Sequence, residues 1–209
     1  AEQNNGTYYS PRRVGAGLID ALGATTSSVF PSVVGAENPS RPKADLGDGT
    51  SGWTFQVTLT NVSDSAHIYT LGGQALSEKV ESMLFTHHST NWAGQGIDLT
   101  FSSESVTVPA KGDATVTVTV TPREAFASYA AQNAPKGTFI DGAVTFTSAD
   151  GAPNLTVPYV GFYGSWGAPA IFDLVTPDNH ISGYGSTFMS GRLPFGQQSP
   201  FDVEDERMI

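Results

Sequence analysis

The run WTFQVTLTNVS, residues 53–63, constrains the fold most. Trp53, Phe55, Val57 and Leu59 alternate with Thr54, Gln56, Thr58 and Thr60. A two-residue period sends every apolar side chain to one face of an extended strand, whereas a helix would scatter the same residues around its axis. The stretch therefore predicts a strand with a core on one side and water on the other. ESVTVPAKGDATVTVTVTP, residues 104–122, repeats the pattern: Val106, Val108, Val116, Val118 and Val120 mark two more strands joined around Pro109-Ala110-Lys111-Gly112-Asp113.

The rest of the chain fits around these strands. SSVFPSVVG (27–35) and IDLTFSS (97–103) read as strands, and HIYTLGGQALSEKVESMLF (67–85) as two short ones. TFIDGAVTFTS (138–148) and NLTVPYVGFYG (154–164) form a hairpin with Asp150-Gly151 as its turn. AENPSRPKADLGDGTSG (36–52) and THHSTNWAGQG (86–96) are polar loops, and REAFASYAAQNAP (123–135), bracketed by Pro122 and Pro135, is a short inserted helix. Seven or so strands over residues 26–164 predict an all-β immunoglobulin or fibronectin type III-like sandwich. From Ser165 the periodicity fades into Gly, Pro and acidic residues, which reads as an extended arm or linker over 168–209. No period of repeat length recurs.

Composition narrows the chemistry. The 209 residues contain no cysteine, which removes disulfides, zinc thiolates, iron–sulfur clusters and thiol nucleophiles. A formal charge of -10 disfavours a nucleic-acid partner, and no apolar run is long enough for a membrane span. The beginning, AEQNNGTYY, lacks the basic-then-apolar pattern of a signal peptide, so the chain reads as a mature or excised piece.

No catalytic residue is legible. Gly49-Thr50-Ser51 runs into a strand and GYGSTFMSG around Ser186 lies in a Gly/Ser-rich arm, so neither reads as a nucleophile at a helix start or elbow. His87 and His88 are adjacent and would face opposite ways on a strand, so they read as exposed loop imidazoles and not a zinc site. Asp45, Asp48 and Asp113, or Asp173 and Asp178, offer oxygens to calcium but without EF-hand spacing, and no cofactor is assigned. Trp92 sits in the 85–97 loop, where it either meets a substrate or another domain or caps its own sandwich; Trp166 follows the last strand. Arg12 and Arg13 are either solvated turn charges or ion-pair partners for another domain.

The stretch before the sandwich is different in kind. In GAGLIDALGAT, Leu18, Ile19, Ala21 and Leu22 have helical spacing, which predicts two to three turns over 15–23 with Gly23 near the end. So short a helix needs a partner for its apolar face, and residues 1–25 are expected to be the least stable part of the chain.

YYSPRRVGAGLIDALGA, residues 8–24, resembles the end of the subtilisin-like catalytic domain in cell-envelope serine peptidases of Gram-positive bacteria, the lactocepins and the complement-cleaving streptococcal peptidases. Ser10, Pro11, Arg12, Gly15, Ala16, Gly17, Asp20 and Ala21 carry the match. GTFIDGAVTFTSADGAPNLTVPYVGFYGSWG, residues 137–167, resembles the closing hairpin of the fibronectin-like domain that follows the protease in that family, through Gly137, Phe139, Gly142, Val144 and Phe146 and then Val157, Pro158, Tyr159, Gly161, Phe162, Gly164, Trp166 and Gly167. The resemblance implies the end of a catalytic domain over 1–25, a sandwich over 26–167 and an arm over 168–209. It further implies a non-catalytic accessory segment of a secreted, wall-associated peptidase, whose partners are the parent's catalytic domain and its protein or peptide substrate. Trp92, His87, His88, Trp166, Arg12 and Arg13 are the candidate substrate or interdomain contacts. The alternative is an independent adhesion or ligand-binding module on the bacterial surface.

Overall fold

The computed structural model describes residues 7–80 and 87–168. Two short helices come first, α1 (Pro11–Val14) and α2 (Ala21–Thr26), followed by β1 (Val29–Val33), β2 (Ala44–Gly49), β3 (Trp53–Asn61) and β4 (His67–Val80). Then come β5 (His87–Asn91), β6 (Ile97–Phe101), β7 (Ser105–Val108), β8 (Asp113–Pro122), α3 (Glu124–Asn133), β9 (Thr138–Ser148) and β10 (Leu155–Tyr163). One sheet has the order β1-β3-β8-β6. The other runs β2-β10-β9-β4-β5, with β7 also paired to β4. Every pairing is antiparallel except β2 with β10.

The alternation in β3 and β8 becomes the inner face of the first sheet. Phe55 stands opposite Val118, Val57 opposite Val116 and Leu59 opposite Ala114, and Phe55, Val57, Leu59, Val116 and Val118 are buried. The intervening residues form a polar ladder facing water: Thr54 with Thr119 at 3.2 Å, Gln56 with Thr117 at 3.3 Å and Thr58 with Thr115 at 3.0 Å. Cross-strand pairs of this kind hold register where burial alone cannot. From the second sheet Tyr69, Ala75, Ile140, Val144, Phe146, Val157 and Tyr159 meet this face, all fully buried. The Phe55 and Tyr159 rings lie 5.8 Å apart across the core.

Three elements of the sandwich differ from the sequence reading. Residues 44–49 of the stretch assigned as a polar loop form β2, which adds to the sheet edge by pairing in parallel with β10. Residues 67–80 form one 14-residue strand and not two short ones, because β5 and β7 pair with its opposite ends and satisfy its backbone along its length. Much of the loop assigned to 85–97 is a strand, β5, and a tight turn follows in which the Trp92 carbonyl accepts from Gly96 and Ile97 at 3.0 Å. The inserted helix is present as α3. The arm assigned to 168–209 lies, from residue 169 on, outside the described residues. No helix among the described residues is long and apolar enough to cross a membrane.

Candidate functional site

The segment before β1 is fastened to the outside of the β4-β9-β10 sheet by one turn. Ser10 caps α1: its hydroxyl oxygen accepts from the Arg12 N–H at 3.2 Å, and Pro11 supplies a preset φ at the first helical position. The same hydroxyl donates to Oδ2 of Asp141 on β9. Arg12 Nε donates to that oxygen at 2.7 Å, and Arg12 Nη2 reaches Glu78 Oε1 on β4 at 3.2 Å. Arg13 Nη2 lies 3.5 Å from the same Glu78 oxygen. The Arg12 guanidinium also sits 4.1 Å from the centre of the Phe139 ring. The Tyr8 N–H donates to Gln74 Oε1 at 3.1 Å, so the contact begins before the turn.

Asp141 is the centre of this attachment. Its side chain is 1% exposed, and burial pushes its carboxyl above the usual carboxylate range even though Ser10 and Arg12 favour the anion. Oδ1 has no hydrogen-bond partner among the described residues. Next to it Gly142 has φ 158, and a Cβ there would run into the Gln74 carbonyl, which itself accepts from the Tyr159 hydroxyl at 2.8 Å. The turn is thus held against a part of the sheet where the backbones of β4 and β9 already touch.

Beyond the turn the predicted helix over 15–23 is not formed. Gly15 (φ 62) and Gly17 (φ 100) take left-handed conformations that interrupt helix, and Asp20 accepts from the Gly23 N–H at 2.8 Å as a cap. Helix α2 therefore starts at Ala21 and contains Gly23. The apolar residues whose spacing suggested a docked helix face stay uncovered: Leu18 is 93% exposed, Ile19 91% and Leu22 74%.

The other sequence candidates separate. Trp166, 59% exposed, stacks on Phe162 at 4.3 Å and meets Phe139 edge-on at 5.4 Å, while its backbone N–H donates to Asp48 Oδ2 at 2.8 Å. Phe139 therefore touches Arg12 and Trp166 both. Trp92 is half-buried between Phe126 at 5.3 Å and Tyr129 at 4.9 Å, both from α3, at the opposite end of β4 from β7. His87 and His88 stand on β5 in register with Val80 and Lys79. They are strand residues and not loop residues, and their side chains lie outside what the structure describes. Of the possible calcium ligands, Asp48 accepts from Trp166 and Asp45 from the Gly47 N–H at 3.3 Å; Asp173 and Asp178 lie outside the described residues.

A group that no motif announced lies at the pole where β1 and β4 begin. His67 Nδ1 is 3.0 Å from Asp150 Oδ2, and its Nε2 is 3.1 Å from Ser28 Oγ and 3.2 Å from Ser63 Oγ. Asp150 also accepts from the Ser148 hydroxyl at 2.8 Å and from the N–H groups of Ile68 and Ala152 at 3.3 Å. These donors, led by Ser148, hold its carboxyl at about 2. Ser28, His67 and Asp150 line one open groove of about 470 Å³, together with Asp20 and Leu22 of the α2 region and Pro153. Ser28 and His67 are 39 residues apart and His67 and Asp150 are 83 apart, so only the sheet topology brings them together.

Residues 45–160 match the family of Fn3-like domains. The chain is 31% identical over 173 residues to the PI-type proteinase of Lactococcus lactis subsp. cremoris, covering 81% of this chain and 9% of that protein. It is 26% identical over 172 residues to the C5a peptidase of Streptococcus pyogenes serotype M1, covering 79% of this chain and 13% of that protein. The chain thus spans about a tenth of the length of these relatives. A solved family 123 glycoside hydrolase from Clostridium perfringens superposes with a TM-score of 0.44 at 10% identity, over 66% of this chain and 27% of that one.

Proposed function

Because this chain belongs to the Fn3-like domain family, we propose that it is an accessory domain, outside the peptide-cleaving machinery, of a secreted, cell-envelope subtilisin-like serine endopeptidase of a Gram-positive bacterium. In this reading residues 7–26 are the joint that fixes the sandwich to the catalytic domain. The observation that carries it is the split character of that segment. Ser10 and Arg12 are tied to buried Asp141, whereas Leu18, Ile19 and Leu22 present bare apolar side chains a few residues later. A segment with one part bonded to the sandwich and the next part uncovered has the form of a bridge between two bodies.

The proteinase names of the relatives support the identity of the second body. Docking Leu18, Ile19 and Leu22 into the protease would bury their apolar surface, and the Arg12–Asp141 pair would then transmit the orientation of the sandwich. Trp166 and the β5 edge with His87 and His88 would face a long protein substrate, while Trp92, packed on α3, would support that end of the sandwich.

The test is a comparison of the whole parent enzyme with a version lacking the sandwich, on a long protein substrate and on a short chromogenic peptide. Loss or redistribution of cleavage on the protein, with the peptide rate retained, is the expected result. Unchanged cleavage of both would overturn the accessory role. Retention of the isolated domain on a host-surface ligand, abolished by Trp166→Ala, would instead favour the adhesion reading.

A further inference from the structure

We propose that Ser28, His67 and Asp150 form a nucleophilic serine site on the sandwich itself, reactive toward small uncharged acyl esters. The proposal rests on one hydrogen-bonded chain and the groove it opens into. Asp150, ionised and held by four donors, accepts from His67 Nδ1, which fixes the ring tautomer with Nε2 as the acceptor. Two serine hydroxyls approach Nε2. The proton of Ser63 has two nearer acceptors, Asn61 Oδ1 at 2.8 Å and the Ser65 carbonyl at 2.9 Å, against 3.2 Å to the ring. Ser28, at 3.1 Å, is the hydroxyl that donates to Nε2, and it lines the groove with His67 and Asp150. Nucleophile, base and orienting carboxylate thus stand in sequence within hydrogen-bond reach.

The groove sets the substrate class. Ala152 and Pro153 give it an apolar side, and Asp20 and Asp150 place carboxylates on its wall, which disfavours anionic acyl groups. Its volume, about 470 Å³, accommodates a short acyl chain and an aryl or alkyl leaving group. In the reaction Ser28 Oγ attacks the ester carbonyl carbon while its proton passes to His67 Nε2. The bond to the leaving oxygen breaks, and that oxygen takes the proton from Nε2. Water, deprotonated by His67, then cleaves the acyl-serine, releasing the carboxylic acid and restoring the hydroxyl. Asp150 acts as a positioning residue that stabilises the transient imidazolium.

The chain, with Ser28→Ala, Ser63→Ala and His67→Gln variants, is incubated with a fluorophosphonate probe and separately with p-nitrophenyl acetate, and the modified residue is located by peptide mass spectrometry. One label per chain on Ser28 is expected, with Ser63→Ala labelled as the wild type is and Ser28→Ala and His67→Gln slower by about 100-fold or more. Thermal unfolding of each variant shows whether it is folded, and Ser28→Ala, the smallest change, keeps the comparison valid if His67→Gln unfolds. Labelling on Ser63, or wild-type labelling no faster than that of folded Ser28→Ala, would overturn the proposal and leave the group as a polar staple between strand ends.

Discussion

Arg12 Nε lies 2.7 Å from Oδ2 of Asp141, a residue 129 positions further along the chain. One end of this bond belongs to the segment before the sandwich and the other to a central strand of its larger sheet. Arg12→Ala would leave a buried carboxylate without its cation and is expected to destabilise the chain by about 3 kcal/mol. Arg12→Lys recovers only part of this, since an ammonium cannot reach Asp141 and Glu78 while lying flat over Phe139. Urea unfolding of the three proteins checks both statements.

Asp141 also predicts a pH dependence of defined sign. Its folded-state value is raised by burial, so the unfolded chain ionises first as pH rises. The neutral-carboxyl form contributes fully at pH below the ordinary carboxylate value, and that contribution is lost as pH rises through the raised value. Asp150 runs the other way. Its folded value of about 2 lies below the unfolded one, so its contribution is present above the ordinary value and lost as pH falls toward 2. Asp141→Asn should therefore gain on the wild type as pH rises above the ordinary carboxylate value, and Asp150→Asn should flatten the acid limb. Unfolding midpoints across pH separate the two.

Leu18, Ile19 and Leu22 touch little in this chain, so replacing all three by serine should change its stability by less than about 0.5 kcal/mol. In the peptidase proposed as its parent, the same change should lower the thermal midpoint and the fraction recovered as active enzyme. Slow amide exchange over 18–23 in the isolated chain, as slow as in β3 or β9, would show that the segment is already covered and would remove the reason for the joint.

Trp92→Ala removes a half-buried ring packed on Phe126 and Tyr129, and should cost about 2–3 kcal/mol, toward the low end for a large aromatic. Trp166→Ala removes a ring stacked on one neighbour and open to solvent, and should cost about 1 kcal/mol. Calorimetric midpoints of the two variants check the order. Equal losses would mean that Trp166 is more deeply engaged than its exposure indicates.

Gly142→Ala tests the foundation of the attachment. The added Cβ meets the Gln74 carbonyl, a backbone atom that cannot swing aside, so a loss of about 3 kcal/mol or more is expected. Since Asp141 precedes it, protease cleavage between residues 10 and 20 should also become faster in this variant.

The sandwich was legible because its signal is local. Trp53 to Thr60 and Val116 to Val120 show their period within a few residues, and the inner row they predict is the buried row observed. The single long β4 was not legible, since its continuity depends on two different strands pairing with its two ends. The helix over 15–23 does not form for a chemical reason: Gly15 and Gly17 have the backbone freedom to turn the chain away, and Asp20, a strong cap, starts a new helix inside the span that apolar spacing marks. Arg12 was visible as a charge but its partner was not, because Asp141 sits in an ordinary strand pattern and only the fold places it beneath the turn. Ser28, His67 and Asp150 offered no spacing at all; the one clue was that each lies at the end of a strand segment, where a two-sheet fold gathers distant residues.

Phe139 carries the Arg12 guanidinium on its face and the edge of Trp166 beside it. The turn that fastens the leading segment and the residues that follow β10 are therefore one aromatic ring apart. Tension applied between the flanking stretches would load this short bridge of Arg12, Phe139 and Trp166 first, and the strand ladders only after it gives way. In mechanical terms this bridge would then act as a clip, yielding under a pull between Arg12 and Trp166 before the strand ladders are loaded.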